Sequence, residues 1–249
     1  MITNTVYSHS AYFDVLEVFL EQWNLFYGEE IIVFSDKEYK GYKTVIYDEE
    51  LSYTNRLIQC FENTEGEVFL YQHEDMFLYD YPDSKKLNDY GETLTKSNDS
   101  FIRLTKAGSC KFSQSDLNET LLNISEDSEN FFAVQSTLWK KDDLIKFLKE
   151  AGSLNIWDLE ATSHVINSRA RLSGLCHFDN ESQRGGHHNS NIWPYIATAI
   201  NKGNWNFEEY TKELSKIDKV LKNKRPRQHM TIPITDEEHA RLTDPNSKL

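Results

Sequence analysis

Two acidic residues side by side, Glu74 and Asp75, follow closely on the apolar run Val68-Phe69-Leu70-Tyr71, whose length and aromatic content suit a buried strand. Adjacent carboxylates repel each other and lose hydration when a site closes. At a strand end they therefore need solvent, a counter-charge or a cation. Two readings follow: the pair opens a solvated turn, or it seats a divalent ion that holds a phosphorylated substrate. A second acidic pair, Asp158 and Glu160, lies in or just before the first turn of an expected helix, where the helix dipole favours negative charge. The alternative is that one of the two projects into a cleft as a base. The third candidate is Gly185-Gly186-His187-His188. Flexible glycines can swing imidazoles toward a metal or a phosphate, although paired histidines in loops are also often simply solvated.

These groups must be carried by a sheet. Thr5-Val6-Tyr7-Ser8 reads as a first strand, and the three-and-four spacing of Val15, Leu16, Phe19, Leu20, Trp23 and Phe26 predicts a helix ending near Gly28. Strands follow at 31–34 and 43–47, then a helix marked by Tyr53, Leu57, Ile58 and Phe61, then the strand that ends in the acids. Strand, helix, strand, strand, helix, strand argues for an α/β sheet with parallel neighbours, in which ligands bind at the carboxyl ends of the strands. Residues 84–128 are polar, with a helix expected over 85–94 and short strands near 101–104 and 121–124. A strand over 131–139 leads into a helix, a second helical stretch runs from Asn155 through Ile166, and 169–192 reads as a polar loop. Phe207, Tyr210, Leu214, Ile217 and Leu221 define an amphipathic helix. The domain expectation is one catalytic domain over 1–222 and an extended tail over 223–249 that opens with a basic cluster around Lys224, Arg225 and Arg227.

Ser8-His9-Ser10 stands where a dinucleotide-binding fold or a P-loop requires glycines, so both motifs are excluded. The glycine-rich basic loop of a sugar-phosphate nucleotidyltransferase is missing for the same reason. A net charge of -13 opposes binding to nucleic acid or to anionic membranes. No apolar run reaches membrane-spanning length, and three scattered cysteines, Cys60, Cys110 and Cys176, read as reduced thiols, so the expected location is cytoplasmic.

The stretch Phe69-Leu70-Tyr71-Gln72-His73-Glu74-Asp75-Met76-Phe77-Leu78 resembles the metal-binding acidic motif of GT-A glycosyltransferases. Val134-Gln135-Ser136-Thr137-Leu138-Trp139-Lys140-Lys141, followed by Trp157-Asp158-Leu159-Glu160, is similar to a later block in some bacterial and viral members. The two cover positions 5 to 205 in the expected order. The resemblance implies a GT-A-like (Rossmann-like) α/β fold, with a mixed, mostly parallel sheet flanked by helices. It implies a nucleotide-sugar donor such as a UDP- or GDP-sugar, a glycan or other hydroxyl acceptor, and Mn2+ or Mg2+ at the acidic motif. By position, Asp75 would be the direct metal ligand and Glu74 a second ligand or a donor-sugar contact. His187 or His188 would complete the shell, and Ser8, His9, Ser35, Asp36 and Arg56 would line the nucleotide pocket. Glu160 would be the base, with Asp158 in reserve; a reaction so assisted inverts the anomeric carbon, and a retaining mechanism stays open as the alternative. Trp139, Trp157 and Trp193 would lie on the acceptor side. One departure stands out: His73 breaks the Asp-x-Asp spacing. Oligomeric state is left open, a homo-oligomer included. Two other classes use the same residues, a nucleotide- or carbohydrate-binding module without turnover and a metal-dependent phosphohydrolase built on Glu74, Asp75, His187 and His188.

Overall fold

A computed structural model describes residues 1–107, 110–201 and 204–217. They fall into two compact units, one over 1–197 and the other made of the described residues beyond it. In the first unit β1 (Ile2–Tyr7) leads into helix α1 (Phe13–Phe26), then come β2 (Ile31–Ser35), β3 (Lys43–Ile46), α2 (Tyr53–Glu62) and β4 (Val68–Tyr71). There follow α3 (Ser84–Lys96), β5 (Phe101–Arg103), β6 (Phe112–Gln114), β7 (Leu121–Ile124), β8 (Thr137–Lys140) and α4 (Lys141–Ala151). The unit continues through α5 (Ile156–Ala161), α6 (Ser163–Ala170), β9 (Gly174–His177) and the short hairpin of β10 (Gln183–Arg184) and β11 (His187–His188). The second unit contains the hairpin of β12 (Ile200–Asn201) and β13 (Asn204–Trp205) and helix α7 (Phe207–Lys216). The expected tail over 223–249 and its basic cluster lie outside the described residues.

Nine strands form one sheet in the order β3-β2-β1-β4-β8-β5-β9-β7-β6. The first four are parallel, β8 runs antiparallel to both β4 and β5, β9 is parallel to β5, and β7 opposes β9 and β6. Seven strands thus point one way, and only β7 and β8 oppose them. The mixed, mostly parallel α/β sheet expected from the strand–helix alternation is what the chain forms. The inner strands are apolar because both faces are covered: β2 and β4 are buried along their whole length, and Phe69, Leu70, Ile102 and Leu138 have no exposed surface.

Local chemistry sets the ends of the helices. Helix α1 buries Val15, Leu16, Phe19, Leu20 and Trp23 and stops where Gly28, at φ +72°, donates back to the Trp23 carbonyl. Ser52 caps α2 by accepting from the Asn55 amide, and Asn155 caps α5 by accepting from the Asp158 amide.

Three expectations are corrected. The strand over 131–139 is shorter: only 137–140 pair, and 131–136 form an irregular approach to the sheet. The loop over 169–192 contains β9, a fully buried strand inside the main sheet. Trp139 and Trp193 are core residues at 2% and 0% exposure, whereas Trp157 is 71% exposed.

Candidate functional site

Because β1, β2 and β4 are parallel, their carboxyl ends meet along one edge. Tyr7-Ser8 ends the first, Ser35-Asp36 the second and Gln72-His73-Glu74-Asp75 the third. The edge is tied together by main chain: the Tyr7 amide donates to the Gln72 carbonyl at 2.9 Å, the Glu74 amide to the Tyr7 carbonyl at 3.3 Å, and the Ser8 amide to the Phe34 carbonyl at 2.9 Å. The antiparallel β8 brings its beginning, not its end, to the same rim. There the Ser136 hydroxyl donates to Gln72 Oε1 at 3.3 Å, and the Leu104 amide donates to the Ser136 carbonyl.

His73 is held in a closed set of phenols. Its Nε2 lies 2.8 Å from the Tyr53 hydroxyl and 2.7 Å from the Tyr71 hydroxyl, and those two hydroxyls bond each other. The Tyr7 ring packs on the imidazole at 5.1 Å. Burial pushes the imidazole pKa down to about 3, so the ring is neutral. Burial likewise raises the pKa values of Tyr7, Tyr53 and Tyr71. At Tyr7 the Tyr47 bond and Arg56 pull the other way, as the Tyr53 bond does at Tyr71; the charge of Glu74 adds a lesser rise at both, and that of Glu160 a lesser rise at Tyr53.

Glu160 is half-buried. It accepts from the Val134 amide at 2.6 Å. Burial raises its pKa, with the Val134 amide and the charge of Arg103 pulling the other way. Asp158 has another job: its amide and carboxylate both bond Asn155, at 2.9 and 2.8 Å, so it closes the cap of α5. Glu74 is 9% exposed and Asp75 half-buried.

At the neighbouring strand end, Asp36 accepts from the Ser10 amide at 2.5 Å and the Ser10 hydroxyl at 2.6 Å. Burial alone would raise its pKa, but the bonds from the Ser10 amide and hydroxyl hold it below the usual carboxylate range. His9 Nε2 lies 2.9 Å from Glu49 Oε1 and 3.9 Å from Asp36 Oδ2. The three side chains are spaced closely enough to surround an ion. Protonation argues otherwise. His9 Nδ1 accepts from the Ala11 amide at 3.0 Å, so the ring's proton sits on Nε2, the atom that would have to bind the ion. The group is a hydrogen-bonded imidazole between two carboxylates. Ser35 donates to Asp36 at 3.2 Å, and the Ser8 carbonyl accepts from Tyr47 at 2.9 Å. Arg56 stands over the Tyr47 ring at 5.3 Å and clasps the Glu49 and Leu51 carbonyls.

The structure thus brings Ser8, His9, Ser35, Asp36, Arg56, Glu74 and Asp75 to adjacent parallel strand ends, with Glu160 reaching the same rim. It sets His187 and His188 on the β10–β11 hairpin, where the His188 amide donates to the Lys106 carbonyl at 2.9 Å and its ring packs on Phe178. Among the described residues these histidines form no ligand group with Glu74 and Asp75. A divalent ion at Glu74 and Asp75 would have two hard carboxylates and would draw its remaining ligands from water and substrate phosphate, a donor set that fits Mg2+ or Mn2+. Sequence reasoning missed the tyrosines. Tyr53 and Tyr71 looked like ordinary core aromatics, and their only signal was a histidine placed two residues after Tyr71.

No family model matches the chain, and no curated protein matches it. Among solved structures it is similar to a CMP:2-keto-3-deoxy-manno-octonic acid synthetase complexed with CTP, with TM-score 0.47, 10% identity, and 70% of this chain and 88% of that one covered. It is also similar to S. aureus TarS 1–349, with TM-score 0.46, 13% identity, and 89% and 65% covered. A UDP-glucose pyrophosphorylase complexed with UDP-glucose gives TM-score 0.43, 12% identity, and 71% and 90% covered. The fold assignment rests on strand order and direction, independently of these likenesses.

Proposed function

We propose that the chain transfers a sugar from a nucleotide-sugar donor to a hydroxyl acceptor. The observation that supports this most is that the parallel ends of β1, β2 and β4 bring Ser8, Ser35, Asp36 and the Glu74–Asp75 pair together along one edge of the sheet. Transfer needs two carboxylate functions that must not be the same group: one at the departing diphosphate, one at the incoming hydroxyl. In this reading the ends of β1 and β2, with Ser8, His9, Ser35 and Asp36, hold the nucleotide, and Arg56 braces the loop beside it. Asp75 and Glu74 would hold Mg2+ or Mn2+, which offsets the negative charge gathering on the leaving diphosphate. Glu160 takes the acceptor proton. Its raised pKa makes it a stronger base than an ordinary surface carboxylate, worth about 10²–10⁴ in rate. Direct attack by that hydroxyl inverts the anomeric carbon.

The test is binding of nucleoside diphosphates and hydrolysis of UDP- and GDP-sugars, with and without Mn2+. Asp75→Asn should abolish the metal-dependent part of nucleotide affinity while the circular dichroism spectrum stays the same. Nucleotide affinity equal in wild type and variant, or indifferent to metal, would overturn the assignment.

A further inference from the structure

An open pocket lies beyond the acidic motif, lined by Asp80, Tyr81, Glu181, Ser182, Asn189 and Asn191 among others. Its position is fixed. The segment leaving Asp75 becomes extended, with the Tyr79 amide donating to the Pro194 carbonyl at 3.0 Å and the Ile196 amide to the Phe77 carbonyl at 3.0 Å. Tyr195 in that ribbon donates to Gln135 Oε1 at 2.5 Å, which ties the pocket wall to the start of β8 and so to the rim. Tyr79 stands four positions after Asp75, so the pocket begins within ~14 Å of the acids even if the chain between is fully extended.

The pocket floor is built rather than incidental. Glu181 has a side chain 8% exposed and accepts from buried His177 at 2.8 Å and from the Asp179 amide at 2.6 Å. His177 Nε2 also faces Asn191 Oδ1 at 2.8 Å, and its Nδ1 faces the Tyr90 hydroxyl at 2.9 Å. The His177 bond and the neighbouring amides outweigh burial and hold the Glu181 pKa down to about 2, so the floor is anionic at any working pH. Asn189 is braced by Ser182 at 2.7 Å. At the mouth, Asp80 is exposed, and Tyr81 keeps 67% of its surface open although its ring is propped against Phe26 at 5.2 Å.

We infer that this pocket is the acceptor subsite and that it takes an uncharged, hydroxyl-rich ligand, a sugar or polyol; the inference rests on the transferase reading above. Carboxylates and amides held in place accept from and donate to hydroxyls, and an exposed aromatic ring offers a face for the C–H side of a sugar. Two carboxylates exclude phosphate by repulsion, so the nucleotide and the acceptor are sorted to different places by charge.

The experiment uses the full chain and ligand-observed NMR with millimolar methyl glycosides of glucose, galactose, mannose and N-acetylglucosamine, ribitol, and glucose 6-phosphate as the anionic counterpart. At least one neutral compound should bind, Tyr81→Ala and Asp80→Asn should each weaken it about five-fold or more with unchanged circular dichroism, and glucose 6-phosphate should bind less well than methyl glucoside. Binding by none of the neutral compounds, binding unaltered in both variants, or a preference for the phosphate would overturn the pocket. Nucleoside diphosphate binding to the same wild-type sample reports the donor site separately. Its loss with saccharide binding kept would overturn the transferase reading and leave the pocket as a saccharide site.

Discussion

Single side chains in this protein do their work by being denied water. Glu160 keeps its proton more tightly folded than unfolded, so its contribution to stability is favourable below the unfolded carboxylate value and is lost as pH rises through the folded one. At neutral pH the ionised group therefore costs stability. Glu160→Gln, which keeps an acceptor for the Val134 amide, should raise the melting temperature while lowering turnover about 10²-fold or more; calorimetry and a transfer assay measure the two sides. A variant that is both less stable and fully active would remove Glu160 as base. His73 has the opposite sign. Between pH 6.5 and about 3 the unfolded chain takes up a proton that the folded chain refuses, so stability present above pH 6.5 is lost as the pH falls, by up to about 1.4 kcal/mol per unit. His73→Gln, which cannot titrate, should flatten the difference between urea unfolding curves at pH 7 and pH 5. At this scale the sequence was legible where residue type and position coincide, as for Glu74, Asp75 and Asp36 at strand ends. Asp158 and Glu160 were not separable by type: Asp158 bonds the Asn155 cap in the first turn of α5, whereas Glu160 accepts from the Val134 amide.

Elements were legible in proportion to their length and periodicity. Helix α1, with five buried residues at three-and-four spacing, and strands β2 and β4, apolar throughout, follow directly from pattern. Strand β9 did not. Its four residues, Gly174-Leu175-Cys176-His177, are buried because β5 and β7 bracket them, a tertiary fact with no local signature. Gly174 is there for space: a Cβ would come within 2.1–2.7 Å of the Phe101 ring, which is itself pinned against Trp139 at 4.3 Å. Gly174→Ala should destabilise the fold by about 1–3 kcal/mol, seen as a lower denaturant midpoint with an unchanged slope. A neutral substitution would mean that the strand does not pack as described.

For the molecule as a whole, composition narrowed the choices more than it named one. The charge of -13 spoke against nucleic acid, and among the described residues no helix is long and apolar enough to cross a membrane. The three cysteines are unpaired. Burial pushes the thiols of Cys60 and Cys176 up to about 12, whereas Cys110 is partly accessible. Brief iodoacetamide treatment of the native protein should therefore modify one cysteine, Cys110, and all three after unfolding, as intact mass would read out. Rapid native labelling of Cys176 would show that the sheet opens around β9.

Strand order also has a consequence during synthesis. β4 and β5 are made early but are not neighbours, and β8, completed some 37 residues after β5, must slot between them. Until residue 140 has left the ribosome, both inner strands present bare apolar edges, the kind of surface on which growing chains stick to one another. Stalled or truncated products ending before β8 are thus the species of this protein most in need of a chaperone.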